Sequence, residues 1–173
     1  DKGATWIVVD PRYSRSAARA DIYARIRPGS DLAFYGGLIN YILQNDLFQK
    51  EYVLHYTNAA CLLRPDFKFD VDHGLFSGWD PETKRYDNET WGYDVDHKAV
   101  WDTSEGSAFA WVNRPGTPKF KTPDLKVLKR DMTLQDPNCV LNVMKRHYAR
   151  YTPELVTRVT GMDPDVMKKV WEV

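Results

Sequence analysis

The sequence predicts a three-layer α/β domain, in which a short, mostly parallel sheet is flanked by helices and carries an aromatic-rich, irregular insertion. Three observations predict this fold class. An apolar run near the start of the chain ends abruptly at a proline, strand and helix patterns then alternate with short connections, and helical periodicity returns near the carboxyl end. Such alternation favours parallel strands joined by crossover helices.

The first strand is predicted at residues 6–9, where four apolar residues stand in a row before Pro11 ends the ladder. Residues 14–20 are rich in alanine and predict a short helix that Ser14 caps. Polar and apolar residues alternate over 21–26, which predicts a second short strand.

A Pro-Gly turn signal then precedes a longer helix, which Ser30 or Asp31 is expected to cap and which runs to about residue 44. Its apolar residues are expected to fall on one face. They are Leu32, Ala33, Leu38, Ile39, Ile42 and Leu43. A further short helix is predicted at residues 49–56.

The middle of the chain, residues 64–129, lacks a sustained period and is rich in glycine, proline, aspartate and aromatic residues. We interpret it as an insertion of short hairpins or irregular loops, with strands at 91–93 and 109–112. Its aromatic content argues against disorder and indicates packing on the rest of the protein or on a partner subunit.

Three helices are predicted after this insertion. Asp136 is expected to cap the first, with a proline at its first helical position. Thr152, again followed by proline, begins the second helix, and Gly161 ends it. Asp163 begins the third. The predicted organisation is therefore an α/β half-domain at 1–63 with cofactor-binding strand ends, the insertion at 64–129, and a helical continuation of the same domain at 130–173.

Composition narrows the class of protein. The 24 basic and 24 acidic residues of the 173-residue chain balance, so no basic excess indicates a nucleic-acid partner. No run of 18 apolar residues occurs, so we expect no direct membrane span. Cys61 and Cys139 make no disulfide framework, and both are expected to be buried.

Polar residues at the predicted strand ends form the candidate binding site. Ligands of open α/β sheets bind at the carboxyl ends of the strands, where carboxylates can accept hydrogen bonds from a base or ribose and an arginine can pair with phosphate. The candidate residues are Val9, Asp10, Pro11, Arg12, Gly29, Ser30 and Asp31. From spacing alone, a helix-capping aspartate and a surface arginine remain the alternative. The sequence contains neither the Gly-x-Gly-x-x-Gly motif of nicotinamide-dinucleotide sites nor the Gly-x-x-x-x-Gly-Lys-Ser/Thr motif of P-loops, so neither kind of site is supported.

The tetrapeptide Asp-Val-Asp-His occurs twice, at residues 70–73 and 94–97. Paired carboxylates and a histidine could hold a metal ion, but Pro81 stands where a calcium loop has its bidentate glutamate. We therefore predict polar turn residues there and assign no metal ligand. His55 and His147 lie on predicted helices without a partner at catalytic spacing, so no catalytic residue is assigned either.

Several stretches resemble the molybdopterin oxidoreductase family. They are VVDPR at 8–12, AARAD at 17–21 and IRPGSDLA at 26–33. A second set resembles more specifically the catalytic major (alpha) subunit of respiratory formate dehydrogenases. It comprises EYV at 51–53, YTNA at 56–59, DHGLFSG at 72–78, RDMTLQ at 130–135 and RYTP at 150–153. The family's cluster-binding cysteines are missing, so the resemblance implies an internal fragment of a larger enzyme.

The resemblance implies a parent enzyme that oxidises formate to carbon dioxide at molybdenum or tungsten, held by two molybdopterin guanine dinucleotides (bis-MGD). This segment would hold one of them, with Asp31 reading guanine and Asp10 and Arg12 orienting the diphosphate or ribose. The metal ligand, the catalytic histidine and a 4Fe-4S cluster would lie outside the chain, so the fragment alone is expected to be inactive.

The implied partners are the rest of the catalytic subunit, an iron–sulfur electron-transfer beta subunit, and formate as substrate. Respiratory relatives favour a periplasmic location, with the cytoplasm as the alternative. Two other functions stay open at this point. The chain could be a segment of another molybdopterin oxidoreductase, such as a nitrate reductase, or a non-catalytic subunit-docking module.

Overall fold

A computed structural model describes residues 3–70, 72–87, 91–94 and 128–173. The chain divides into two compact units, Asp1–Gln49 with Met144–Val173, and Lys50–Val143. Helices combine with one parallel strand pair and two antiparallel pairs, which confirms the α/β class. Among the described strands parallel pairing is confined to that one pair, and the three-layer arrangement stays a prediction. The predicted division into segments 1–63, 64–129 and 130–173 also stays a prediction. The boundaries of the two compact units do not coincide with the boundaries of these segments.

The first unit contains the predicted parallel pair. Strand β1 is Ile7–Val9 and strand β2 is Ile22–Ala24. They pair in parallel with Val9 opposite Ala24. The apolar run thus forms a strand as predicted, and both strands end at the same edge.

The helical part of the connection between these strands is shorter than the predicted helix over 14–20. Only Ala17–Arg19 is helical, as a single 3₁₀ turn, although the Ser14 hydroxyl accepts the predicted hydrogen bond from the Ala17 N–H at 3.2 Å. Ala20 is already extended (ψ 146°), because β2 begins two residues later and leaves no room for a second turn.

Three helices complete the first unit: α1 at Asp31–Gln44, α4 at Pro153–Thr160 and α5 at Pro164–Glu172. Helix α1 packs against α4, and α5 packs against β2. The buried residues of α1 are Ala33, Phe34, Gly36, Gly37 and Leu43. The prediction that Leu32 belongs to the buried face is wrong, since Leu32 is 84% exposed.

The predicted ends of α4 and α5 are confirmed. The Thr152 hydroxyl accepts a hydrogen bond from the Leu155 N–H, and the Asp163 carboxylate accepts from the backbone N–H groups at the start of α5. Gly161 ends α4 with φ 67°, in the left-handed region that glycine adopts without strain.

Helix α3 occupies Val140–Tyr148, so the prediction of a helix that begins directly after Asp136 is wrong. The Asp136 carboxylate accepts a hydrogen bond from the Asn138 N–H at 2.7 Å, and the Asp136 carbonyl accepts one from the Asn142 side chain at 2.8 Å. These bonds hold the residues before α3 in a turn.

The second unit contains helix α2 at Lys50–Tyr56 and two short antiparallel pairs. The strands are β3 Phe69–Asp70, β4 Leu75–Phe76, β5 Trp79–Asp80 and β6 Arg85–Tyr86. The expected short hairpins are therefore present. The aromatic rings packed around them are those of Phe67, Phe69, Phe76, Trp79, Tyr86 and Trp91.

The strand predicted at 91–93 is wrong. Tyr93 makes only an isolated bridge to Leu63, and the Trp91 indole N–H donates to the Ser77 carbonyl at 2.9 Å. Trp91 thereby packs onto the hairpins instead of extending a ladder. The strand predicted at 109–112 lies outside the described residues.

Both cysteines are buried and free, as the sequence predicts. Cys61 lies in a segment that bridges residues around Arg130 on one side and Cys139 on the other. Burial raises the pKa of both thiols. The cysteines therefore behave as small apolar core residues. No helix within the described residues is both long and apolar enough to cross a bilayer.

Candidate functional site

The candidate site lies in the first unit, where β1 and β2 end together. The Asp10 N–H donates to the Ala24 carbonyl at 3.1 Å, which extends the parallel pairing by one residue. The chain therefore leaves both strands at one edge of the pair. In open α/β sheets, this edge is where ligands bind.

Asp10 holds its own turn at the end of β1. One oxygen of its carboxylate accepts a hydrogen bond from the Arg12 N–H at 2.7 Å, and its carbonyl accepts one from the Tyr23 hydroxyl at 3.0 Å. Pro11 and the Arg12 side chain are exposed. Asp10 thus has a local structural role, while its second carboxylate oxygen accepts no hydrogen bond from the described residues.

The turn between β2 and α1 is built by Pro28 and Gly29. The Ser30 N–H donates to the Arg27 carbonyl at 3.3 Å, and Gly29 has φ 77°, the conformation that a type II turn needs at its third residue. A Cβ at Gly29 would meet no heavy atom within 4 Å. Glycine is therefore required here by conformation, and the space beside the turn is open.

Ser30 and Asp31 have different environments. Ser30 is 5% exposed and its hydroxyl donates back to the Arg27 carbonyl at 2.6 Å. Ser30 occupies the N-cap position of α1, but its side chain does not cap the helix, contrary to the prediction. Asp31 is the first residue of α1, is exposed, and forms no hydrogen bond or ion pair with the described residues. Both oxygens of Asp31 are available to a ligand.

Val9 differs from the other candidate residues, because it packs against the hydrophobic core of the unit. A contact between Val9 and a ligand would therefore use its backbone. The segments that follow the two strands carry a half-buried carboxylate at Asp10, an exposed cation at Arg12 and an exposed carboxylate at Asp31. This donor and acceptor set suits a nucleotide, whose base offers N–H groups and whose phosphates attract a cation.

The repeated Asp-Val-Asp-His tetrapeptide forms a turn in its first copy. The Asp70 carboxylate accepts from the Asp72 and His73 N–H groups at 3.0 Å and contacts His73 Nδ1 at 2.8 Å, which raises the pKa of His73. In the second copy Asp94 pairs with Lys129 at 2.9 Å, and the rest lies outside the described residues. No cluster of three or more metal-ligating side chains occurs in the part of the chain that the structure describes.

Asp131 organises a loop in the second unit that none of the predicted elements includes. Its carboxylate accepts four hydrogen bonds of 2.6–2.8 Å, from the Thr133 N–H and hydroxyl and from the N–H groups of Gln135 and Asp136. These bonds lower the pKa of Asp131 far below its ordinary value of 3.8. They enclose Leu134, which is buried with φ 59°. An aspartate followed two residues later by threonine is the signal that could have revealed this turn.

We expect Asp131→Asn to loosen this loop, because a neutral amide would replace the carboxylate and would put an NH₂ group where one oxygen now accepts two hydrogen bonds. Amide hydrogen exchange at Gln135 and Asp136 should accelerate, whereas Asp136→Asn, which affects only the bond to Asn138, should leave the Gln135 amide protected. The wild-type protection should be complete above pH 3.8 and fall as the pH drops below that value, because the folded-state pKa is lowered. Equal exchange in both variants would contradict this role.

No protein-family model matches the chain. The chain is 41% identical over 170 residues to the formate dehydrogenase-O major subunit of Escherichia coli K12, an alignment that covers 98% of this chain and 14% of that subunit. It is 38% identical over 172 residues to the formate dehydrogenase subunit alpha of Megalodesulfovibrio gigas, covering 99% and 14%. Acetylene hydratase from Pelobacter acetylenicus aligns in structure with a TM-score of 0.47 at 18% identity, over 98% of this chain and 12% of that one. The chain thus spans about one-seventh of the length of the curated relatives.

Proposed function

We propose that this chain, which is homologous to a segment of the formate dehydrogenase major subunits, holds the guanine dinucleotide end of one pyranopterin cofactor. The parent protein would be an oxidoreductase that converts formate to carbon dioxide, and the segment alone would be inactive. One observation supports the nucleotide site above all: β1 and β2 run in parallel, so Asp10–Arg12 and the turn before α1 leave from a shared edge.

The residues at this edge fit such a ligand. Asp31 is exposed and unpaired among the described residues, as a carboxylate must be to accept hydrogen bonds from guanine N1–H and the 2-amino group. The open space beside Gly29 allows a base to approach the backbone. Arg12 is exposed and would pair with the diphosphate, while the second oxygen of Asp10 would accept from a ribose hydroxyl.

When bound, the cofactor would supply the molybdenum or tungsten centre that takes up two electrons from formate. The chain's own contribution is to bind and orient the nucleotide. The metal ligand, the catalytic histidine and the 4Fe-4S cluster would belong to the rest of the catalytic subunit. An iron–sulfur beta subunit would accept the electrons, and the resemblance to respiratory enzymes favours the periplasm.

A subunit-docking role is the second candidate, and one feature of the second unit favours it. Tyr52 and Tyr56 on α2 are 57% and 78% exposed, and their rings stack with centroids 5.3 Å apart. Exposed tyrosines of this kind are enriched at protein interfaces. Docking through α2 is compatible with nucleotide binding in the first unit. If the chain binds no nucleotide, docking remains as the candidate function.

Titration of the chain with GDP and GMP tests the nucleotide site. We expect weak binding of both, with a dissociation constant of roughly 1 mM, about −4 kcal/mol. Asp31→Ala should weaken binding by about tenfold or more, because two hydrogen bonds to a charged acceptor are lost. Asp165→Ala is the matched control, since Asp165 is an exposed aspartate in the first turn of α5. Absence of binding to a chain that is folded by circular dichroism would favour the docking role instead.

A further inference from the structure

Arg27 joins the turn before α1 to the end of α4. Its guanidinium Nη1 donates to the Arg158 carbonyl at 2.6 Å and to the Val159 carbonyl at 3.1 Å. Its backbone N–H donates to the Thr160 carbonyl at 2.7 Å. Three consecutive carbonyls at the end of one helix are thus bound by a single residue.

This arrangement is stable for electrostatic and steric reasons. The last carbonyls of a helix lack partners within the helix and carry partial negative charge, so a cation placed there is stabilising. The absence of a side chain at Gly161 lets the guanidinium approach closely. A Cβ at Gly161 would lie 3.2 Å from Arg27 Cζ.

The restraint continues from Arg27 to the start of α1. The Arg27 carbonyl accepts from both the hydroxyl and the N–H of the buried Ser30, at 2.6 Å and 3.3 Å. The Ser30 carbonyl in turn accepts from the N–H groups of Ala33 and Phe34 in the first turn of α1. Asp31 lies between these bonds, so its backbone is held by the same series of contacts that begins at α4.

We propose that Arg27 is a positioning residue that fixes Asp31 for guanine and thereby sets selectivity for guanine over adenine nucleotides. This inference rests on the proposed function. Nη1 of the Arg27 guanidinium is held by the α4 carbonyls, so its proposed role runs through the turn, and the comparison of GDP with ADP below distinguishes this role from a phosphate contact. Arg12, on the other strand end, remains the cation for the diphosphate.

The test compares GDP and ADP binding to the 173-residue chain and to three variants. In Arg27→Ala, the GDP dissociation constant should rise about five- to tenfold, as expected if the turn adopts the binding conformation in only about a tenth to a fifth of molecules. ADP binding should stay unchanged, because the diphosphate contacts are intact. Arg27→Lys keeps a cation near the helix end and should recover part of the GDP affinity. Arg19→Ala, which removes an exposed arginine before the start of β2, should match the wild type.

The outcomes separate the two proposals. If Arg27→Ala binds GDP as tightly as the wild type, with the same ratio of GDP to ADP dissociation constants, the role of Arg27 is overturned. The nucleotide site would then still stand. Equal weakening of GDP and ADP would also overturn it, in favour of a phosphate contact. Absence of GDP binding to the folded wild type would overturn the nucleotide site and this role together. Faster amide exchange at Ser30 and Ala33 in Arg27→Ala is the accompanying signature that supports positioning.

Discussion

Gly37→Leu should destabilise the first unit by about 3 kcal/mol or more, at the upper end of the range for overpacked cores. Gly37 lies on α1 where this helix contacts side chains of α4 and α5. A Cβ at this position would lie 2.6 Å from Val156 Cγ2 and 2.8 Å from Trp171 Cζ2. Val156 is fully buried and Trp171 is 8% exposed, so neither side chain can move into solvent without losing its packing. Urea unfolding followed by circular dichroism gives the free energy of unfolding.

Tyr35→Leu is the matched control, because it introduces the same residue at a position of the same helix that is 58% exposed. Its cost should stay within about 0.5 kcal/mol, as for most surface substitutions. If the two variants unfolded at the same urea concentration, the close approach of α1 to α4 and α5 would be wrong.

Trp171→Ala should cost about 3–5 kcal/mol, the usual range for removing a buried tryptophan. Trp171 belongs to the core cluster that holds α5 against β2, together with Ala24, Val156 and Met167. Its loss would leave a cavity in this core cluster. Thermal unfolding monitored by circular dichroism should show a lower midpoint.

Trp171→Phe separates packing from hydrogen bonding. The Trp171 indole N–H is buried and donates to none of the described residues, so phenylalanine loses contact area but no hydrogen bond. Its cost should be clearly smaller than that of alanine. The double variant Gly37→Leu with Trp171→Ala should be less destabilised than the sum of the single variants, because the leucine fills part of the cavity. Strict additivity would contradict direct contact between the two positions.

Local patterns predicted the helix boundaries best where a side chain acts on its own backbone. The caps at Thr152 and Asp163 and the left-handed end at Gly161 follow from short-range geometry, which the sequence displays directly. The start of α3 was missed because Asp136 serves a turn instead, and the Asn142 side chain, six residues away, holds the Asp136 carbonyl.

The candidate site, too, could be predicted from the sequence only where it depends on short-range contacts. The shared edge follows from the parallel pairing of two recognisable strands. The role of Arg27 depends on carbonyls more than 130 residues away in sequence, and no spacing rule connects them. Periodicity predicts that Leu32 faces the core, whereas Gly36 and Gly37 take buried positions that let α1 lie close to its neighbours.

The measurement that tests the central claim most directly is a residue-resolved magnetic-resonance titration of the isotope-labelled chain with GDP. If one ligand touches both strand ends, the signals of residues 10–12 and 29–31 should shift together, with one dissociation constant. Shifts confined to one of the two segments, or shifts that saturate at different GDP concentrations, would contradict a shared nucleotide site.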